Sequence, residues 1–338
     1  MFEAGKGLEE VIVAEGLTKT FNGFKAVDKV TFKVYRGEIF GFLGPNGAGK
    51  TTTINLLTTL MKPSEGRGWV AGFSILSEPE KVRRKIGVLF QDITLDTELT
   101  GWENLWFHGL IYGVPRKELK QRIREMLAFV ELEEWADRQV KKFSGGMRRR
   151  LQIAAALLHR PEILFLDEPT LGLDPQTRRR IWDYIFQLQK EGITVFLTTH
   201  YMEEAERLCS RVAVIDRGKI IAMGRVDELK GTVGENIHIR LASKSPEDAE
   251  KFMEALKSGG LAGEVYLLQT GEITLSTRNA SEVLPKIFEE ASKLNLKILE
   301  ASYHAPTLED VFLRLTGRRL RDSEVGGIES IRLAHRRR

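Results

Sequence analysis

Gly44-Pro45-Asn46-Gly47-Ala48-Gly49-Lys50-Thr51 follows the apolar run Ile39-Phe40-Gly41-Phe42-Leu43 and precedes a stretch of helical character over 51–60. The octet fits G-x-x-x-x-G-K-[ST] in the strand-before, helix-after setting that gives the pattern meaning. Glycines let the backbone curl so that successive N–H groups and a helix N-terminus face an anion. Lys50 would neutralise β/γ-phosphate charge, and the Thr51 hydroxyl would meet Mg²⁺. The five-residue run before it is apolar throughout, as a strand covered on both faces must be.

Two further stretches carry chemistry. Ile163-Leu164-Phe165-Leu166-Asp167-Glu168 is an apolar strand with two carboxylates at its tip. Beside a phosphate cradle, Asp167 is expected at the Mg²⁺ hydration shell and Glu168 at a water aimed at the γ-phosphate. Alone, such a pair also reads as a helix cap or a solvated turn. Phe143-Ser144-Gly145-Gly146-Met147 opens a basic and apolar helix over 148–158, a second anion cradle in the same chain. Two cradles for one nucleotide make sense if two copies pair head to tail, each closing the other's triphosphate. An isolated Ser-Gly-Gly is merely a flexible turn.

Around these motifs, strands are expected at 11–15, 30–34, 86–90, 194–198 and 212–216, with a helix over 175–191. Helical periodicity takes over between 100 and 158. Alternating strands and helices argue for an α/β fold with a parallel sheet wrapped by helices. After a polar, glycine-bearing stretch at 229–235 the order becomes strand (236–241), helix (246–257), two strands around Thr270-Gly271, helix (280–292), strand (296–301). That βαββαβ order suits a small α+β, ferredoxin-like layer. A last amphipathic helix, 307–315, precedes Gly317.

Composition bounds the rest. The 338 residues suit two domains. With 42% hydrophobic and 29% charged residues the chain is expected to be globular, and no apolar run approaches the roughly 20 residues that span a bilayer. The acidic start MFEAGKGLEE does not read as a secretory signal, so a cytoplasmic location is expected. The formal charge of +4 resides in the segment 318–338, which holds seven Arg against three acidic residues. No basic stripe remains to suggest nucleic acid, although the tail could touch anionic lipid or RNA. The single cysteine, Cys209, excludes an internal disulfide and reads as a buried structural residue.

Taken in order, these motifs resemble the nucleotide-binding subunit of ABC (ATP-binding cassette) transporters over residues 10–230. The resemblance implies a P-loop NTPase cassette with a mixed sheet core and a helical subdomain at about 92–160. It sets the domains at 1–230, 236–317 and a basic tail at 318–338, with ATP and Mg²⁺ as ligands. It takes the nucleotide-binding set as Gly44, Pro45, Asn46, Gly47, Ala48, Gly49, Lys50, Thr51 and Thr52. Phe21 is then the aromatic that stacks on adenine, with a core aromatic as the alternative. Gln91 reads Mg²⁺ together with Thr51 and Asp167, and joins the helical insertion to the core. Asp174 lies on the loop that crosses the dimer interface, and His200 contacts the γ-phosphate. Ser144, Gly145 and Gly146 form the signature turn; its fifth residue, usually Gln, is Met147 here, and hydrolysis is expected to survive. Gly224-Arg225-Val226-Asp227-Glu228-Leu229 and Pro306-Thr307-Leu308-Glu309-Asp310-Val311-Phe312-Leu313-Arg314-Leu315-Thr316-Gly317-Arg318 are similar to tail motifs of daunorubicin-resistance-type subunits. The implied partners are an integral membrane permease and a second copy of the chain, at the inner face of the cell membrane. The implied cargo is a drug or other hydrophobic compound, with ion, lipid or polysaccharide export as alternatives. Action on nucleic acid or ribosomes is the competing reading of the cassette, and ligand sensing that of the C-terminal layer.

Overall fold

The computed structural model describes residues 9–233, 235–243, 245–261, 264–267, 272–277 and 280–317. The tail at 318–338 and the turn at Thr270-Gly271 lie outside them. The chain divides into two compact units, the first ending at Met223 and the second beginning at Gly224.

The first unit opens with a hairpin, β1 (Glu10–Phe21) and β2 (Phe24–Tyr35), whose strands are far longer than expected. Asn22 and Gly23, with φ of 47° and 83°, make the two-residue turn, the Asn-Gly signal of a tight hairpin. β3 (Ile39–Leu43) enters the cradle, and α1 (Lys50–Leu57) leaves it. α1 stops short of the expected residue 60 because Thr59 takes a left-handed conformation, φ 66°. β4 (Glu65–Val70) and β5 (Phe73–Ser74) complete an antiparallel sheet of order β2-β1-β4-β5. Then come α2 (Pro79–Lys85) and β6 (Ile86–Leu89). The expected helical insertion is α3 (Gly101–Ile111), α4 (Arg116–Phe129) and α5 (Gly145–Leu157), built on its own core of Leu105, Leu119, Ile123, Leu127 and Leu151. β7 (Ile163–Asp167), α6 (Pro175–Lys190), β8 (Thr194–Thr199), α7 (Met202–Leu208), β9 (Arg211–Asp216) and β10 (Lys219–Arg225) follow.

The second sheet has the order β10-β9-β3-β8-β7-β6, with β9, β3, β8, β7 and β6 paired in parallel. The core is therefore mixed: a parallel sheet faced by an antiparallel one. Five fully buried rings bind the two: Phe32 of β2, Phe40 and Phe42 of β3, Phe165 of β7 and Phe196 of β8. Their centroids lie 5.4 to 5.9 Å apart, within the range where aromatic pairs add to plain burial. Cys209 is buried beside β3; a Cβ on Gly41 would come within 2.8 Å of its sulfur. Burial pushes its thiol well above the ordinary range.

In the second unit α8 (Val226–Gly231) leads to β11 (Glu235–Leu241), α9 (Pro246–Ser258), β12 (Glu264–Leu267), β13 (Glu272–Thr277), α10 (Ala280–Lys293), β14 (Ile298–His304) and α11 (Leu308–Thr316). The sheet has the order β12-β13-β11-β14 with antiparallel neighbours. Phe252, Leu256, Ile287 and Ala291 of the two long helices pack with Ile237, Ile239 and Leu275. The break falls at 224 rather than in the 229–235 stretch because 226–231 is helical and packs with α11. The two tail motifs thus meet: Thr307 caps α11 through a reciprocal pair with Asp310, its N–H donating at 2.8 Å, and Arg314 donates to the Thr232 carbonyl.

Candidate functional site

Strand register assembles the site. Leu43 of β3 is level with Thr199 of β8, and Asp167 of β7 with Thr198. The cradle, the carboxylate pair and His200 therefore all leave the carboxyl edge of the parallel sheet, where open α/β sheets bind ligands.

The cradle curls as its glycines allow. Gly49 has φ 108°, and a Cβ there would stand 2.5 Å from the Ala26 carbonyl oxygen, so only glycine fits. Lys50, 5% exposed, donates to the Gly44 and Pro45 carbonyls at 2.8 and 3.1 Å. Its Nζ also lies 3.0 Å from Glu168 Oε1. Glu168 Oε2 is 2.9 Å from His200 Nδ1. Burial works against the Glu168 charge, but the His200 hydrogen bond and the Lys50 cation outweigh it and hold the carboxyl below its usual range. Asp167 Oδ1 accepts the Thr198 hydroxyl at 2.5 Å. Lys50 and His200 thus both touch Glu168, with Thr51 and Asp167 each one residue along the chain from those contacts. Glu168 itself is left-handed, φ 48°, a conformation costing a side-chain-bearing residue about 1–2 kcal/mol and typical of functional sites.

Ser144, Gly145 and Gly146 sit elsewhere. Ser144 caps α5, its hydroxyl accepting the Met147 N–H at 3.2 Å. With Gly146, Met147, Arg150, Gln176, Thr177 and Arg180 it lines a hollow of about 180 Å³ that none of Lys50, Glu168 and His200 lines. Asp174 caps α6, accepting from the Gln176 and Thr177 N–H groups at 3.0 and 2.9 Å and from the Thr177 hydroxyl at 2.6 Å. Those bonds, the Thr177 hydroxyl first, hold its carboxyl below the ordinary range. A Cβ on Gly146 would strike Thr177 Cγ2 at 2.6 Å, whereas one on Gly145 would meet nothing of this chain within 4 Å. Gly146 answers to the packing of α5 against α6; Gly145 has no such reason. Phe21, at the hairpin turn, is 42% exposed with Lys19 Nζ 5.3 Å from its ring centre, so it is not a core aromatic.

Gln91 follows β6, exposed, and its backbone is held from α5. Arg149 donates to the Phe90 and Gln91 carbonyls, and Gln152 donates to Asp92 at 3.0 Å. Arg149 also reaches the Asp167, Glu168 and Pro169 carbonyls at 2.9, 2.8 and 2.8 Å. Burial lowers this guanidinium to about 10, partly offset by Asp167 and Glu204; it remains a cation at neutral pH. Sequence reasoning missed it, since Arg148-Arg149-Arg150 reads as a basic helix face. The available signal was spacing: Arg149 precedes buried Ile153 by four residues and shares its face.

The family profile described as ABC transporter matches residues 27–171. The chain is similar to the linearmycin resistance ATP-binding protein LnrL of Bacillus subtilis (strain 168), 40% identical over 92% of this chain and 100% of that protein. It is 41% identical to the daunorubicin/doxorubicin resistance ATP-binding protein DrrA of Streptomyces peucetius, over 90% of this chain and 92% of the relative. It is 38% identical to the Nod factor export ATP-binding protein I of Ralstonia nicotianae, over 94% and 97% respectively. Among solved structures, a dimeric ATP-binding cassette in a post-hydrolysis state with ADP and Pi aligns with a TM-score of 0.59 at 30% identity, covering 63% of this chain and 98% of that one. Likeness of sequence over nine-tenths of the chain, and of fold over 63% of it, converge on one family to which the chain belongs: it is an ATP-hydrolysing, ATP-binding subunit of an ABC transporter.

Proposed function

We propose that the chain hydrolyses ATP at the carboxyl edge of its parallel sheet and passes the resulting motion to a membrane permease that exports an amphiphilic or hydrophobic compound. The observation that carries the hydrolytic assignment is the Glu168 carboxylate held between Lys50 at 3.0 Å and His200 at 2.9 Å. Residues 44–52 wrap the triphosphate, with Lys50 on the β/γ-phosphates and Phe21 offering its ring to adenine. Glu168, kept anionic, accepts a proton from the attacking water, and His200 orients the γ-phosphate. The oxygen donors of Thr51, Asp167 and Gln91 suit Mg²⁺, which prefers a few oxygens and the phosphates to an all-protein cage. Mg²⁺ there would neutralise phosphate charge.

Two copies pair head to tail, so that Ser144, Gly145 and Gly146 of one close on the ATP of the other, beside Asp174. Gly145, whose added Cβ would meet nothing in its own chain, leaves room for a neighbour's phosphate. The permease docks in a groove of about 740 Å³ whose lining includes Leu60, Arg83, Val88, Phe90, Ile111 and Tyr112. Ile111 and Leu60 are 64% and 59% exposed there, and Val88 and Phe90 run straight into Gln91. As a relative of an export ATP-binding protein, the chain is placed as a peripheral subunit at the inner membrane face; no described helix is long and apolar enough to cross a membrane. The cargo class follows from relatives named for resistance to linearmycin and to daunorubicin/doxorubicin.

Glu168→Gln tests the site. ATP affinity should stay within about twofold, turnover should fall about 100-fold or more, and an ATP-dependent dimer should accumulate on size exclusion. Undiminished turnover would remove Glu168 from the role of base.

A further inference from the structure

Arg149 is a buried cation that the hydrolytic reading leaves unused. It is 7% exposed, and its acceptors are almost all main-chain: Pro169 from Nε, Phe90 and Gln91 from Nη1, Asp167 and Glu168 from Nη2, with Gln152 Oε1 at 3.4 Å. Taking a guanidinium out of water is costly unless its donors are met. Ile153 fills the next turn of the same helix face with a buried aliphatic side chain, so packing alone does not require a charge. What the fork achieves is geometric: one rigid group ties the segment after β6 to the segment after β7, both from α5.

We infer that Arg149 is a positioning residue through which the Ser144 end of α5 sets the backbone of Gln91 and Glu168, so that the nucleotide held by the partner copy is felt at this copy's own carboxylate. The inference rests on the paired-copy reading above. Ser144 and Arg149 lie five residues apart on α5, about 7 Å along a rigid helix, so a shift at one is a shift at the other. Glu168 is where such a shift matters. Its left-handed backbone is pinned on one side by its N–H donating to the Thr198 carbonyl, and on the other by Arg149 holding its own carbonyl at 2.8 Å. Release of the second restraint lets the backbone relax and draws the carboxylate away from Lys50 and His200. Coupling of this kind needs a physical element that both sites bias, and α5 with its guanidinium supplies one.

The test uses the full chain with Arg149→Lys, which keeps the charge and loses the fork, and Arg149→Gln, which loses both. Binding of a fluorescent ATP analogue should stay within about twofold, while kcat falls about tenfold or more and the Hill coefficient for ATP moves towards one. Amide exchange should quicken at 90–92 and 167–170, and the lysine variant should retain more activity than the glutamine variant. Wild-type kcat and Hill coefficient in folded variants overturn the inference. So does ATP affinity falling in step with kcat, which would mark a merely structural residue, or failure of both variants to fold. Glu168→Gln run alongside separates the two ideas: an active Glu168→Gln sinks the site reading, whereas an inactive one beside a normal Arg149→Lys sinks only this inference.

Discussion

Gly145 and Gly146 are neighbours in sequence, yet the structure asks different things of them. An alanine at 146 is driven against Thr177 Cγ2, 2.6 Å from the added carbon. Overpacking of that sort costs about 1–3 kcal/mol, so Gly146→Ala should lower the thermal midpoint visibly. Gly145→Ala should leave stability within about 0.5 kcal/mol, yet, with two copies paired as proposed, weaken ATP-dependent dimer formation measured by light scattering, because its methyl would enter the path of the partner's phosphate. Equal effects of the two substitutions on stability would contradict this division. Legibility at the residue scale followed locality. Lys50, Asp167 and Glu168 were readable because the cradle and the strand tip are contiguous strings whose chemistry needs few other residues. Arg149 was not, because its partners lie on two segments remote in sequence. Phe21, Gln91, Asp174 and His200 enter the site only through family resemblance, since nothing in their local strings singles them out.

Among the elements, the buried strands were the most legible. Ile39–Leu43 and Ile163–Asp167 are covered on both faces and read as unbroken apolar runs. The hairpin was under-read, because Gly16 (φ 58°) and the register shift between Ala14 and Leu17 interrupt the alternation of β1. β4 was missed because Glu65-Gly66-Arg67-Gly68 looks like a turn, yet it pairs with β1. The strands that carry the cradle, the carboxylates and His200 meet in the ring cluster. Phe196, fully buried, lies within 6 Å of Phe32, Phe40, Phe42 and Phe165. Truncating one such ring removes about 3–5 kcal/mol. Phe196→Ala should therefore lower the unfolding free energy of the first unit, read from a denaturant titration, by that amount; a loss under about 1 kcal/mol would mean that the sheets are joined by other contacts.

For the whole molecule, the βαββαβ order of the second unit was legible, while its strand order, set by pairings between distant segments, was not. The groove beside α3 takes its other wall from α2 and the turn after α1, segments remote in sequence, so no single stretch foretells it. Each apolar side chain that docks there is worth about 1.5–3 kcal/mol. Ile111→Asp together with Leu60→Asp should thus cut recovery of the chain on permease-bearing membranes about tenfold or more, with ATP hydrolysis by the isolated chain preserved. Unaltered recovery would move the docking surface elsewhere.

The sole thiol has a practical corollary. Cys209 is shut away against the strand that feeds the cradle, and burial keeps it protonated; the thiolate, not the thiol, is the nucleophile that attacks sulfur-directed dyes. A maleimide will therefore find the folded chain blank, leaving any cysteine introduced at the surface as a clean reporter. Slow labelling of the native chain becomes a clock for how often β3 is laid bare.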